Sequence, residues 1–241
     1  MRPVTRGASP QPGVAFTDHK KAAPHLKDAI GEYCSYCERY QSAGLHVEHV
    51  QPQKLYPGEY GEWRNYLLSC DVCNGTKTDK DVTLDNVLLP DRDNTFVAFR
   101  YTLGGKVEPA AGLDPAQQQL ALDTIELTGL NVEKGEVVNR NGQLIRFDRV
   151  TNRWQTRMMA EDALRNVEGS PTPLNKRCTA VSAAARGGFS IWMEVFKQRV
   201  DMRRLLIKWF KGTALDCFDP VTTEPVSPRP PVTGLAHSGK V

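Results

Sequence analysis

The 241-residue chain has no long hydrophobic run. Stretches such as Tyr66–Leu68 and Leu205–Ile207 are typical of its apolar segments, whereas a membrane span needs about 18 such residues. The first thirteen residues hold Arg2, Arg6 and three prolines but no apolar segment, so they do not read as a secretory signal. The expectation is a cytoplasmic protein with no membrane partner. No internal repeat is present, which excludes a solenoid. Cysteine is scarce, six in all, and without a signal segment a disulfide framework is not expected. What remains is an ordinary globular composition, 40% hydrophobic and 24% charged, with enough chain for one large domain or two small ones.

Net charge is low, +3, but unevenly spread. Residues 1–138 carry −5, residues 139–211 carry +9 and residues 212–241 carry −1. The basic stretch reads either as a surface for an acidic partner, most simply nucleic acid, or as a solvated helical face.

Along the chain, residues 1–19 form an extended Pro- and Gly-containing arm. Leu26, Ala29, Ile30 and Tyr33 recur at helical spacing behind Pro24. Leu45–Val50 alternates as a half-buried strand, Asn65–Cys70 returns towards the second cysteine pair, and Cys73–Lys80 begins a short helix. Thr95–Tyr101 reads as a strand. Asp114 and Pro115 read as an N-cap and first-turn proline for a helix running to Thr128 and closed by Gly129. Further helices are expected over residues 144–167 and within 187–211, where Ile191, Val195, Met202 and Leu206 form an apolar face. Prolines at 220, 225, 228, 230 and 231 mark residues 216–241 as a disordered tail.

Four cysteines fall into two knuckles, Cys34-x-x-Cys37 and Cys70-x-x-Cys73. Two such knuckles supply four thiolates to one tetrahedral Zn²⁺. A four-thiolate site leaves no open coordination position, so its role is structural and it staples the ends of the intervening segment. Four free thiols or a redox pair are the alternatives, and neither calls for two knuckles. Cys178 and Cys217 read as small core residues.

Between and just after the knuckles lie Val47-Glu48-His49-Val50-Gln51-Pro52, then Trp63-Arg64-Asn65-Tyr66-Leu67-Leu68-Ser69-Cys70, then Cys73-Asn74-Gly75-Thr76-Lys77. This order resembles the HNH (ββα-metal) endonucleases, in particular their zinc-stapled branch: an acidic-His pair, a central Asn, then a His or Asn at the start of a helix. The resemblance covers about residues 30–80. It implies an α+β fold, with a zinc-stapled ββα-metal module at residues 20–110 and an appended basic helical region at 111–215.

The resemblance also implies roles. His49 titrates near neutral pH and suits a general base for water. Glu48 is a hard oxygen ligand for Mg²⁺ or Mn²⁺, with the Asn74 amide as a second ligand. Asn65 takes the position that orients the histidine, and Lys77 is placed to meet a phosphate. Many members of the family have His at the position of Asn74. His46, on the same strand face as Glu48, reads as structural, and Trp63 as a core residue. Arg199, Arg203 and Arg204 are the densest basic group and the candidate contact to the nucleic-acid backbone or to a protein partner.

A looser likeness joins the chain to the stand-alone HNH nucleases encoded beside an ATPase in Septu-type and some retron anti-phage systems. It rests on the arm Met1-Arg2-Pro3 to Gly7, on Tyr33–Glu38, and on Thr124–Leu127 followed by Leu130-Asn131. The expected function is metal-dependent cleavage of nucleic acid, with DNA preferred, acting with an ATPase partner and leaving 5′-phosphate and 3′-hydroxyl ends. The alternatives are a toxin-like RNase on the same scaffold and a non-catalytic zinc-knuckle module that only binds nucleic acid.

Overall fold

Leu26 and Ile30, one helical turn apart, are the buried face of α1 (Ala23–Ile30), the first helix of the computed structural model, which describes residues 1–138 and 142–241. The chain then makes the tight Cys34–Cys37 turn. It continues through β1 (Leu45–His49) and a long loop to β2 (Tyr66–Cys70), and passes directly into α2 (Asp71–Lys77). β1 and β2 pair antiparallel, with Leu45 opposite Cys70 and His49 opposite Tyr66. All five residues of β2 are buried, because α1 and α2 pack across this hairpin.

A one-turn helix α3 (Thr95–Ala98) follows, then a hairpin of β3 (Phe99–Tyr101) and β4 (Val107–Pro109). The expected strand at 95–101 is therefore half helix. The Asn94 side chain caps the turn by accepting from Phe96 N. α4 (Pro115–Thr128) forms as its sequence dictates: Asp114 and Gln117 make a capping box, and Gly129 closes the helix in the left-handed region. β5 (Lys134–Val138) and β6 (Leu144–Asp148) make a third two-stranded sheet. The helix expected from residue 144 thus starts only at Arg149, where the Asp148 carboxylate accepts from Thr151 N and caps α5 (Arg149–Gly169).

Three more helices follow: α6 (Pro173–Arg186), α7 (Phe189–Val195) and α8 (Val200–Trp209). α6, capped by Thr172 with Pro173 in its first turn, was not anticipated. The expected helix within 187–211 is broken in two between Phe196 and Arg199. Ile191, Met202 and Leu206 are buried as expected, whereas Val195 is only half-buried.

Two hydrophobic clusters result. One surrounds the cysteine knuckles and the β1–β2 hairpin, and the other fills the space between α5, α6, α7 and α8. The knuckle loop joins them. Glu38, directly after Cys37, accepts from Ser190 N and Ser190 Oγ at the start of α7, and the Tyr33 hydroxyl donates to Ala184 O. Gly187 (φ +83°) bridges Arg39 so closely that a Cβ would lie 2.5 Å from both Glu38 O and Tyr40 N.

The termini correct an expectation. Residues 1–4 and Arg6 are buried, with Val4 bridging Thr213 and Arg6 paired to Asp91 at 3.0 Å. Residues 216–241 are not a loose tail. Arg229 is 1% exposed, pairs with Asp216 at 2.9 Å and donates to Val4 O and Pro90 O. Proline-rich sequence can order without helix or strand when buried side chains pin it, and Arg229 does so here.

Part of the basic charge of residues 139–211 is directed inward. Arg149, Arg153 and Arg157 are spaced one turn apart on α5, and all three are buried. They donate to carbonyls of Thr128, Gly129, Gly105, Leu130 and Tyr101. Among the described residues no helix is long and apolar enough to cross a membrane.

Candidate active site and metal clamp

The knuckles meet. Ligand atoms of Cys34, Cys37, Cys70 and Cys73 all lie within 4.8 Å of one another, and all four residues are buried. The Cys37 and Cys70 sulfurs are 3.8 Å apart. Zinc–sulfur bonds of about 2.3 Å in a tetrahedron set the sulfurs about 3.8 Å apart, so the spacing suits zinc. At that separation the two sulfurs are in contact and not bonded, and all four cysteines are unpaired in the structure. Left to themselves the thiols do not ionise together. Hydrogen bonds from Cys34, Cys70 and Cys73 pull the Cys37 thiol well down, while hydrogen bonding with Cys34 and Cys37 pushes Cys70 and Cys73 well up. A dication that makes all four thiolates is the species this donor set fits.

His49 ends β1. Its ring is half-buried, stacked on Tyr60 (centroids 5.3 Å, interplanar angle 16°) and edge-on to Tyr66 (5.2 Å). Nε2 lies 3.1 Å from Tyr60 O. A carbonyl only accepts, so Nε2 carries the hydrogen and the basic lone pair of the neutral ring is on Nδ1. The Tyr66 hydroxyl donates to the same carbonyl.

The Asn65 amide clamps the loop: Oδ1 accepts from Gln51 N at 2.8 Å, and Nδ2 donates to Gln51 O and Glu59 O. It thereby holds the peptide that precedes Tyr60, whose carbonyl meets His49.

Glu48 departs from the expectation. Strand alternation sends it to the opposite face from His49, where it is 3% exposed. Oε1 meets Lys77 Nζ at 2.6 Å, and Oε2 accepts from the Tyr36 hydroxyl at 2.6 Å. Lys77 is 1% exposed and donates to His49 O as well. As arranged, the carboxylate is neutralised from within the chain by the buried ammonium of Lys77. Asn74 lies half-buried on α2, one turn before Lys77. His46 is structural as expected, its Nε2 2.8 Å from Asp71 Oδ1 in the first turn of α2. Trp63 is buried, with its indole donating to Gly7 O.

Arg199, Arg203 and Arg204 lie away from this hairpin, at the start of α8. Arg199 pairs with Asp201 at 3.1 Å, and Arg203, 3% exposed, pairs with Glu224 at 2.7 Å and donates to Thr223 O. Arg204 donates to Val221 O. Arg203 and Arg204 fasten the 219–224 turn, Arg199 is paired within its own segment, and of the three only Arg203 is buried. Cys217 is buried as expected, but Cys178 is exposed.

The sequence reading passed over three neighbours of the site. His19 lies 5.0 Å from His49, ring to ring, with Nδ1 3.4 Å from the Tyr60 hydroxyl. Tyr60 supplies the carbonyl that fixes His49, and Tyr36 holds Glu48. Only Tyr36, inside a knuckle, carried a local signal; the other two are assembled by the fold.

Residues 34–80 match the model of the HNH endonuclease family. Over 93 residues the chain is 37% identical to the Septu protein PtuB of Bacillus thuringiensis, an alignment covering 34% of this chain and 36% of the relative. The chain thus spans about a third of the length of the curated relative it matches. In sequence and in its ββα arrangement beside a four-cysteine cluster, the segment 34–80 is similar to an HNH endonuclease module.

Proposed function

We propose that the protein is an endonuclease that hydrolyses phosphodiester bonds of DNA, with His49 as the base. Water gives a proton to His49 Nδ1 as its oxygen attacks phosphorus, the bond to the 3′ oxygen breaks with its electron pair going to that oxygen, and a solvent water protonates it, leaving 5′-phosphate and 3′-hydroxyl ends. The single observation that carries this reading is the fixed tautomer: Tyr60 O holds Nε2–H, so Nδ1 is the proton acceptor at the end of β1. Tyr60 and Tyr66 hold the ring plane, and the Asn65 clamp holds the loop that carries Tyr60. The family resemblance adds Mg²⁺ or Mn²⁺, which would stabilise the leaving oxygen. Glu48 itself is paired with Lys77 at 2.6 Å.

By its likeness to a Septu protein, we place the chain in anti-phage defence beside an ATPase partner in the cytoplasm. The test is cleavage of labelled DNA and RNA side by side with Mg²⁺ and with Mn²⁺, with and without that partner, for wild type and His49→Ala. The expected outcome is DNA cleavage reduced roughly 10²–10⁴-fold by the substitution, with fold and zinc content unchanged. Cleavage within threefold of wild type removes His49 from the role. The second reading, a zinc-knuckle module that binds nucleic acid without cutting, is favoured by the closed Glu48–Lys77 pair, and nucleic-acid binding with no cleavage in any preparation would establish it.

A further inference from the structure

Arg149 opens α5, an unfavourable place for a cation on two counts. The helix dipole is positive there, and the side chain is only 3% exposed. Nη1 is accounted for, donating to Thr128 O at 2.8 Å and Gly129 O at 2.5 Å, at the negative end of α4. Nη2 is buried and has no hydrogen-bond partner among the described residues. The guanidinium also lies over the Phe147 ring, 5.4 Å from its centroid, but a ring face does not take the place of a hydrogen-bond acceptor for Nη2.

The surroundings identify that acceptor. Gly129 packs so closely on α2 that a Cβ there would lie 2.5 Å from Thr76 Cγ2. The end of α4 that holds Arg149 therefore rests on the helix whose first turn carries Cys73. Burial lowers the Arg149 pKa, but the fields of Cys73, Cys37, Cys70 and Cys34 outweigh it, leaving a net rise and a charged side chain. The next arginine on the same face, Arg153, feels Cys37 and Cys73 as well. Zn²⁺ on four thiolates carries a net charge of −2 in a buried site, and such a charge needs cations beside it.

We propose that Arg149 is the outer cation of the four-cysteine zinc site, with Nη2 donating to a thiolate sulfur, and that α5 thereby belongs to the metal centre as well as to the helical region. The inference does not depend on cleavage. It depends on zinc at the four cysteines, and the experiment separates the two.

Zinc content of the wild-type chain is measured first, followed by transfer of zinc to a chromophoric chelator for wild type, Arg149→Met, Arg149→Lys and Arg203→Met. Arg203 is an equally buried arginine paired to Glu224, so its variant reports general destabilisation. Loss of such an outer partner typically weakens metal binding roughly 10–100-fold. The expected results are at least tenfold faster transfer from Arg149→Met, a smaller acceleration for Arg149→Lys, which keeps the charge, and wild-type behaviour for Arg203→Met. If Arg149→Met does not fold, the lysine variant decides by the same comparison with Arg203→Met. Transfer within twofold of wild type from a folded Arg149 variant overturns the proposal with the zinc site intact. Equal acceleration in Arg203→Met overturns it too. A wild-type chain that holds no zinc overturns the site and the proposal together.

Discussion

Lys77 Nζ lies 2.6 Å from Glu48 Oε1, with both side chains sealed from solvent. The Tyr36 hydroxyl takes the second carboxylate oxygen, and the ammonium also donates to His49 O. This small network ties the knuckle loop, the last residues of β1 and the end of α2 into one unit, and His49 is carried on it. The residues that the sequence pattern marks as ligand and phosphate contact thus act first on each other.

Removing one member of this pair leaves the other charge buried without a counter-ion. Glu48→Gln or Lys77→Met alone is expected to destabilise the zinc-loaded protein by about 3–5 kcal/mol. The double substitution is expected to cost clearly less than the sum. Urea unfolding of the four proteins measures the coupling, and additive losses would show that the two groups do not act as a pair.

The elements with their own local signals were legible from sequence: the helix capped by Asp114 and ended by Gly129, the alternation of Leu45–His49, and the two knuckles. The cysteine site was legible because metal chemistry dictates both residue type and spacing. The Glu48–Lys77 pair was not, because a charged residue on a strand reads as solvent-facing until a helix packs over it. The same holds for Arg149, Arg153 and Arg157, whose charge suggests a basic surface in a linear count. The break at Phe196–Arg199 and the burial of Arg229 depend on contacts with residues far along the chain. His19 joins His49 for the same reason, since the arm and the hairpin meet only in the fold.

Metal removal gives a second expectation. Structural zinc of this kind contributes roughly 10–16 kcal/mol to folding in small peptides, as much as the whole stability margin of a domain, about 5–15 kcal/mol. Cys70→Ser, or chelator treatment of the wild type, is expected to unfold the knuckle hairpin and release one zinc per chain. Circular dichroism and elemental analysis check this. Unchanged spectra after complete chelation would make the site dispensable.

The two remaining cysteines should differ sharply towards iodoacetamide. Cys178 is exposed, whereas burial pushes the Cys217 thiol up to about 12. The thiolate is the reactive species, so at pH 8 Cys217 is almost wholly protonated as well as shielded. Peptide mass spectrometry of the folded, zinc-loaded protein is expected to find Cys178 alkylated and Cys217 unmodified. Equal labelling would mean that residues 216–241 open in solution.

Arg199, Arg203 and Arg204 provide a test of whether basic sequence means basic surface. Arg203 is buried between Glu224 and Thr223 O, Arg199 is paired with Asp201, and Arg204 is bonded to Val221 O. Two of these three contacts hold the 219–224 turn against α8, so their loss should appear as stability. Arg203→Ala is expected to cost about 1.5–3 kcal/mol, the range for hydrogen bonds involving a charged group. Nucleic-acid binding should respond differently. Each phosphate contact on duplex DNA adds about 0.9 to the slope of log affinity against log salt, so three such contacts would add nearly 3. With Arg203 buried and Arg199 and Arg204 held by partners within the chain, the triple alanine variant, assayed where it remains folded, should keep the wild-type slope on unrelated DNA sequences. A slope lower by 2 or more would show that the arginines leave their partners to meet the backbone. An unchanged slope with a lower unfolding midpoint would place them as fasteners of the C-terminal segment.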